Sequence, residues 1–563
     1  MKFNPYRQWL ISFFLCLLLG QTFTLAQKGE FTLSVVDSET KRPMEFRLEV
    51  RNARGIAQRV AKIPFLYEHM SVPKEGVAMK LPIGTYPMKI ERGLEYLPVS
   101  GHFVLNRSAK DTRAESLKRF IHLAERGWWS GDLLVLRNPK ELETLMLADD
   151  VHFVPLMNTV SEDAAEKWFD HNRVYTQTNY FLDHADCRVS IFNFVTGFDF
   201  AAQKLEESVS PIPMLYALKE KDERIRFDLV DAESWDVPTL AALGMIQSYQ
   251  LLGPHILPTQ ILPSGVDWKR IPKLKKTTKL DTKRLVEDAQ KKPSPATFSF
   301  SDERNPVRYG GPFGHQRWTE DVYFQLLNAG LQIPPSAGSG SGLSPNPVGS
   351  NRMYVFVDRA DYESSGAMEG FERDGANAGF SPACWWDGVD NGAVVVTNGP
   401  LLQPRVDGGL PGTQFTYDEE TPVKLEVAMT LSTRSNIRYI DVIVNGKVTQ
   451  SIQFQEYAKA GRLPAVELDE SGWFLLRVVT EDSGTYCCAM TAPFYVQLGK
   501  KRNPLQAAAA QFFLNWEKER VKQLEASGAF TGKNGALLKK LHQFTLEYWQ
   551  KKIPPKAKEK VEK

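Results

Sequence analysis

Apolar and polar residues alternate over the first stretch of ordinary chain, from residue 27 to about 105. Phe31-Thr-Leu-Ser-Val-Val36 and Phe46-Arg-Leu-Glu-Val50 each place every second side chain on one face, and Asp37-Ser-Glu-Thr-Lys-Arg-Pro43 lies between them as a turn. Leu81-Pro-Ile-Gly-Thr-Tyr86 predicts a further turn and strand. The pattern predicts a small β-sandwich over residues 27–111, with a helix or linker over 112–126. From Trp128 the period changes. Short apolar runs, Leu133-Leu-Val-Leu136, Phe153-Val-Pro-Leu156 and Val189-Ser-Ile-Phe-Asn-Phe194, alternate with helical stretches such as 139–148. That alternation predicts a parallel α/β region over 112–375. Strand patterning returns over 392–500, in Ala393-Val-Val-Val-Thr397, Val423-Lys-Leu-Glu-Val427 and Ile440-Asp-Val-Ile-Val444 before an Asn445-Gly446 turn, and predicts a second sandwich. Residues 504–551 carry Phe512, Phe513, Leu514, Trp516, Leu537, Leu538, Leu541, Phe544 and Tyr548 at helical spacing, and the Lys-rich 552–563 reads as a disordered tail.

The amino terminus changes where this chain is expected to work. Lys2 and Arg7 precede an apolar run from Trp9 to Leu19, and Thr24-Leu25-Ala26 offers small residues for cleavage before Gln27. This is the layout of a removable export signal over 1–26. The run is about half the ~20 residues that a spanning helix needs. A secreted or periplasmic protein with no transmembrane segment after cleavage is expected. Cys16 lies inside the run rather than after a small-residue box, which disfavours a lipoprotein.

The whole chain has 69 basic and 67 acidic residues, and loss of Lys2 and Arg7 leaves it balanced. A neutral chain lacks the basic footprint of a nucleic-acid binder. Locally, 269–292 carries ten Lys or Arg against three Asp or Glu, and is expected as a solvated insertion, with a polyanion-binding strip as the sharper reading. Cys187, Cys384, Cys487 and Cys488 form no CxxC pair, so any disulfide pairing stays open. Asp482-Ser-Gly-Thr-Tyr-Cys-Cys488 mimics the tyrosine-corner strand of immunoglobulin domains, but the nearest upstream cysteine, Cys384, lies outside the expected sandwich.

Trp128-Trp-Ser-Gly-Asp-Leu-Leu-Val-Leu-Arg137 resembles the first barrel strand of the polymerase-and-histidinol-phosphatase (PHP) superfamily, which reads Gly-Asp-Leu-His-x-His. The secreted, carbaryl-hydrolase-like branch is the most similar. There a β-sandwich opening on Thr-Asn-Gly-Pro follows the α/β domain; here the segment is Val396-Thr-Asn-Gly-Pro-Leu-Leu402, with Gly409, Pro411 and Gly412 after it. The resemblance covers roughly residues 125–500. It implies a multidomain α/β plus β protein, a PHP-like distorted (β/α) barrel flanked by two β-sandwiches and a C-terminal helical segment.

In the parent motif, residues at i and i+2 on a strand share a face, so two imidazoles can bind one metal that activates water. Here those positions are Leu134 and Leu136. The family's other ligand positions align with Thr159, Val237, Gly340 and Gly342. None is an imidazole or a carboxylate. The resemblance therefore implies a degenerate, non-catalytic member with no cofactor, serving as a ligand-binding or scaffold protein of the cell envelope. Its partner would be a small molecule, a sugar or an envelope protein. Two alternatives remain: a Zn- or Mn-dependent phosphoesterase, amidase or carbamate hydrolase with an altered site, and a structural envelope protein.

Other polar groups could build a different site: Asp132, Asp149, Asp150, Asp236, His255 and His315. Asp149 and Asp150 follow a helix and are expected in solvent. A pocket at the barrel mouth is expected from Trp129, Asp132, Trp235, Asp236, His255, Arg317 and Trp318. The run Ser336-Ala-Gly-Ser-Gly-Ser-Gly342 lacks the Gly-Lys-Ser/Thr ending of a nucleotide loop, but its backbone, with Ser339 and Ser341, could cradle an anion.

Overall fold

The computed structural model describes residues 28–107, 109–159, 166–184, 187–193, 210–257, 295–297, 309, 313–358, 380–482 and 484–554. The expected export signal and the basic stretch 269–292 lie outside them, as does the tail beyond Pro554. The chain divides into two compact units: residues up to Glu91 with Pro98–Lys118, and Arg92–Leu97 with Arg119 onward. Among the described residues no helix is long and apolar enough to cross a membrane.

The first unit is all β. Lys28–Asp37 buries every second side chain and lies between Val77–Pro82 and Lys110–Leu117. A five-stranded sheet, ordered Phe65–Leu66, His69–Val72, Phe46–Val50, Gly84–Glu91 and Val99–Leu105, completes it. Phe31 and Phe103 stack with ring centroids 3.7 Å apart. The segment expected as a helix or linker is corrected in part: Lys110–Leu117 is a strand running parallel to Lys28–Asp37. Only Leu117 in it is buried, so its backbone hydrogen bonds, rather than an apolar face, define it.

The second unit is mixed α/β, and its strand pairing returns on itself. Phe153–Met157 runs parallel to Arg173–His184, which forms a hairpin with Cys187–Phe192. The latter is antiparallel to Arg226–Leu229, which leads in parallel to Ser248–Leu252 and then Pro335–Ala337. Val135 bridges Leu156 on one side and Ser341 on the other, both in parallel. Hydrogen bonds Leu133 N–Ala337 O (3.1 Å), Gly340 N–Leu134 O (2.8 Å) and Met157 N–Val135 O (2.9 Å) complete the circuit. The expected parallel layout holds for part of the sheet and is interrupted at the hairpin, because a connection as short as 185–186 can join only antiparallel neighbours.

Helices cover the outside. Pro139–Ala148 starts from Asn138, whose side chain accepts from Lys140 N at 3.0 Å, and buries Leu142, Leu145 and Met146. Gly314–Asn328 packs Tyr323 on Tyr249. The two C-terminal helices, Gln506–Ala526 and Gly532–Lys551, join this layer against Val237–Ala242. There Arg520 Nε donates to Asp236 Oδ1 at 2.7 Å, and Trp549 Nε1 donates to Pro238 O at 3.1 Å. Helix Pro382–Asp390 sets Trp385 and Trp386 against Phe153.

The second sandwich grows from the same sheet: Arg352–Phe356 pairs with both Trp128–Gly131 and Val394–Thr397, and Val394–Thr397 pairs with Cys488–Thr491. Ile437–Val444 and Lys447–Ile452 form the expected hairpin, with positive φ at Asn445 (49°) and Gly446 (85°), as the tight turn requires. The immunoglobulin-like segment is no tyrosine corner, since Tyr486 donates its hydroxyl to Glu320 Oε1 at 2.8 Å. Among the described residues, no disulfide joins Cys187, Cys384, Cys487 and Cys488.

Candidate functional site

Inside the strand circuit the polar centre is Asp228, a residue sequence reasoning missed. It is fully buried and held by neutral donors: Ser248 Oγ (2.6 Å) and Ser336 Oγ (2.5 Å) on Oδ1, and Gln250 Nε2 (2.7 Å) on Oδ2. Burial pushes its carboxyl up to about 6, against the pull of those three hydrogen bonds. Ser190, opposite Asp228 in register, is buried with no partner for its hydroxyl among the described residues.

Asp132 serves the backbone. It accepts from Leu134 N (3.2 Å), Ser339 N (2.8 Å) and Gly349 N (2.6 Å), so it ties the glycine-rich run and the loop after it to the first strand. Burial raises its carboxyl to about 6, opposed by these bonds. Ser339 Oγ accepts from Ser341 N at 3.1 Å, while Ser341 Oγ is buried without a partner among the described residues.

The positions that resemble the family's metal ligands do not fit a metal. Leu134 and Val237 are fully buried, and Val237 opens the helix Val237–Ala242. Leu136 and Thr159 are partly buried. A Cβ on Gly338 would lie 2.5 Å from Leu134 Cβ. On Gly340 (φ +67°) it would meet Pro254 Cβ at 2.5 Å, and on Gly342 (φ +102°) Leu136 O at 2.1 Å. Backbone and proline occupy the space that an aspartate or histidine at those two glycines would need.

A different cluster gathers where the strands end at their carboxyl side. His255 follows Ser248–Leu252, and His315 lies in the first turn of Gly314–Asn328; their rings stack, with centroids 4.1 Å apart and planes at 21°. Both are buried. Gln316 Nε2 donates to Leu251 O (3.2 Å) and Glu320 Oε1 (3.0 Å), which leaves its Oε1 to accept from His255 Nε2 at 2.8 Å. This network assigns the His255 proton to Nε2, so Nδ1 is a buried acceptor without a partner among the described residues. Burial first, and the neighbouring His315 second, hold the His255 pKa well below the ordinary value, so the ring is neutral.

His315 Nε2 lies 3.7 Å from Asp231 Oδ1, and its Nδ1 lies 3.9 Å from Glu233 Oε1. Asp231 in turn accepts from Arg188 Nη1 at 2.7 Å, and Asp183 holds the same guanidinium at 2.9 Å. On the far side Glu320 accepts from Arg477 at 2.7 Å. The polar chain thus runs from Asp183 through the two histidines to the second sandwich. Among the described residues, no three His, Cys, Asp or Glu side chains converge as a metal cage.

The other expected pocket residues go elsewhere. Asp236 is buried in an ion pair with Arg520 and accepts from Ser210 Oγ at 2.8 Å, which fastens a C-terminal helix. Asp149 and Asp150, expected in solvent, are buried; Asp150 accepts from Arg119 and Arg173, both at 2.6 Å. Trp129, on the strand Trp128–Gly131, meets His152 edge-on at 5.1 Å and packs on Phe380 at 5.1 Å. Trp318 is fully buried, its Nε1 donating to Ala232 O at 2.8 Å and its ring against Trp516. Trp235 is a buried core ring and Arg317 is exposed. Of the expected residues, the structure brings together His255 with His315 and, separately, Asp132 with Ser339 and Ser341. To the histidine pair it adds Asp231, Arg188, Gln316 and Glu320, of which the acidic run Asp231-Ala-Glu-Ser-Trp-Asp236 after a strand was the visible signal.

No family model matches this sequence. No curated protein matches it either. Among solved structures, the chain is similar in part to the Bacillus anthracis TIE protein, at 18% identity over 20% of each chain with a TM-score of 0.14. The match spans about a fifth of that protein's length, an overlap too small to argue fold or function.

Proposed function

We propose that this chain is an exported, non-catalytic relative of the PHP metallohydrolases, its strand circuit a distorted (β/α) barrel kept as a ligand-binding or scaffold domain. The closing parallel bridges at Val135 and the sandwich that opens on Thr397-Asn398-Gly399-Pro400 support the kinship. The observation that carries the loss of catalysis is steric. At Gly340 and Gly342, backbone and proline fill the place of ligand side chains, and Leu134 packs beside Gly338. A catalytic zinc needs about three protein ligands of nitrogen, oxygen or sulfur type.

A second reading, a hydrolase with a relocated zinc or manganese site, rests on His255. Its free Nδ1, with Nε2 oriented by Gln316, is the arrangement that metal-bound histidines share. Elemental analysis of the dialysed protein, with phosphoester, amide and carbamate substrates assayed beside it, separates the two. The expected result is metal far below one per chain and no hydrolysis above buffer. One zinc or manganese per chain, lost in His255→Ala together with a chelator-sensitive rate, would replace the first reading with the second.

A further inference from the structure

Away from the strand circuit, a cleft of about 540 Å3 opens between Gly330–Gln332, Tyr495–Asn503 and the end of the last helix. Among the described residues its wall carries Lys500, Lys501, Arg502, Lys551 and Lys552 and no aspartate or glutamate. Among the described residues none of the five makes a salt bridge. Lys501 Nζ donates to the main-chain oxygens of Glu420 (2.8 Å) and Asp469 (3.0 Å), and Lys552 Nζ to Ala329 O (3.1 Å). Those acceptors are neutral and leave the charges uncompensated. Burial lowers the Lys552 pKa, a shift that an anion in the cleft would oppose. Lys500, Arg502 and Lys551 are exposed, and a carboxylate outside the wall, that of Glu420, accepts from the Lys500 amide at 3.4 Å. The 21-residue helix Gln506–Ala526 also begins here, with no side-chain cap on its first turn.

The remaining polar lining is mostly carboxamide, with the hydroxyl residues Ser471 and Tyr495 beside it. Gln332 Nε2 donates to Gln414 Oε1 at 3.1 Å, and Gln497 Nε2 fixes the basic loop through Gly499 O (2.9 Å) and Lys501 O (3.0 Å). Asn503 and Gln506 complete the set. Carboxamides both donate and accept. A bare phosphate chain offers acceptors alone and has no use for their oxygens, whereas sugar hydroxyls match both. The volume lies within the ~300–1,000 Å³ range of ligand pockets.

We propose that this cleft binds an acidic saccharide, its carboxylate or sulfate groups on Lys500, Arg502 and Lys551 and its hydroxyls on the carboxamides. The site is independent of the barrel reading. The test is calorimetric titration of the whole secreted chain with short galacturonic acid oligomers and heparin-derived oligosaccharides. A neutral glucan oligomer of equal length and inorganic polyphosphate serve as controls. Acidic saccharides should bind, more weakly as salt rises. Joint Lys500→Gln, Arg502→Gln and Lys551→Gln substitution should weaken binding by at least about tenfold. Each single change should give part of that loss, and the melting curve should stay unchanged. No acidic-saccharide binding at low salt, equal affinity for polyphosphate, or unaltered affinity in the triple variant would each overturn the proposal.

Discussion

Asp150 and Asp228 are equally buried in the second unit and are stabilised in opposite ways. Asp150 follows the helix Pro139–Ala148 with φ +52° and faces three guanidiniums: Arg119 and Arg173 at 2.6 Å and Arg92 at 3.8 Å. Burial works against its charge, but the arginines win and hold the carboxyl well below the usual carboxylate range. Arg119 also reaches Glu95 at 2.8 Å, and Arg352 donates to the carbonyls of Asp149 and Asp150 at 2.8 and 3.1 Å. That end of the unit is a charged clasp. Asp228, inside the circuit, meets only hydroxyls and an amide, and its carboxyl is pushed up to about 6. The same side chain is a permanent anion where cations surround it, and a group that titrates near neutrality where they do not.

The largest effect should come from breaking the clasp. Asparagine tolerates a left-handed backbone, so Asp150→Asn removes the charge while the turn stays possible. Arg119 and Arg173 would then be buried without their main counter-ion, which costs about 3–5 kcal/mol when one partner of a buried pair is lost. Urea unfolding measures it. A loss below about 1 kcal/mol, the scale of exposed pairs, would mean that the arginines find other partners and that the clasp is not a charged one.

A smaller loss is expected at the other end of the circuit, where the strain is steric instead of electrostatic. Gly342→His restores the residue type that the PHP resemblance places there. It must put a Cβ 2.1 Å from Leu136 O at φ +102°. Backbone strain of this kind costs roughly 1–3 kcal/mol. Thermal melting with added zinc sharpens the result. A variant as stable as the parent, and further stabilised by zinc, would show that the mouth can open for a ligand.

What the sequence disclosed and what it hid divide along local and long-range physics. The alternation in Phe31–Val36 and Phe46–Val50, the Asn445-Gly446 turn and the helical spacing from Phe512 to Trp516 are properties of a few neighbouring residues, and all appear as expected. Lys110–Leu117 was hidden because its side chains are polar and only its backbone pairs. Asp150 looked solvated because its arginines lie 31 residues before it and 23 after it. His255 and His315 were both visible as candidates, but about sixty residues of chain separate them, and nothing local fixes their stacking or the Gln316 that orients one ring. Asp228 lay inside an ordinary strand, Arg226–Leu229, whose polar position gave no sign of facing Ser248 and Ser336.

The smallest effect, and the one whose sign decides the comparison, belongs to Asp228→Asn. The folded carboxyl titrates at about 6 against an ordinary 3.8, so the folded protein holds this proton more tightly than the unfolded chain does. Its contribution to stability is therefore complete below about pH 4, fades as pH rises through about 6, and is gone above that. The introduced asparagine imitates the protonated acid at every pH. Its oxygen can keep both serine hydroxyls, and its amide can donate to Gln250 Oε1, which is buried without a partner among the described residues and is presented by reversing that carboxamide. At pH 5 the variant should match the parent within about 1 kcal/mol, the worth of one hydrogen bond. Between pH 5 and 8 the difference should move in the variant's favour, because only the parent must ionise a buried carboxyl. Asp132, also pushed up to about 6, is present in both proteins and cancels. Paired melting curves across that range read the slope directly. If the variant instead falls further behind at pH 8, the Asp228 carboxylate is stabilised as an anion, and the circuit interior is a second charged site of the Asp150 kind rather than its neutral counterpart.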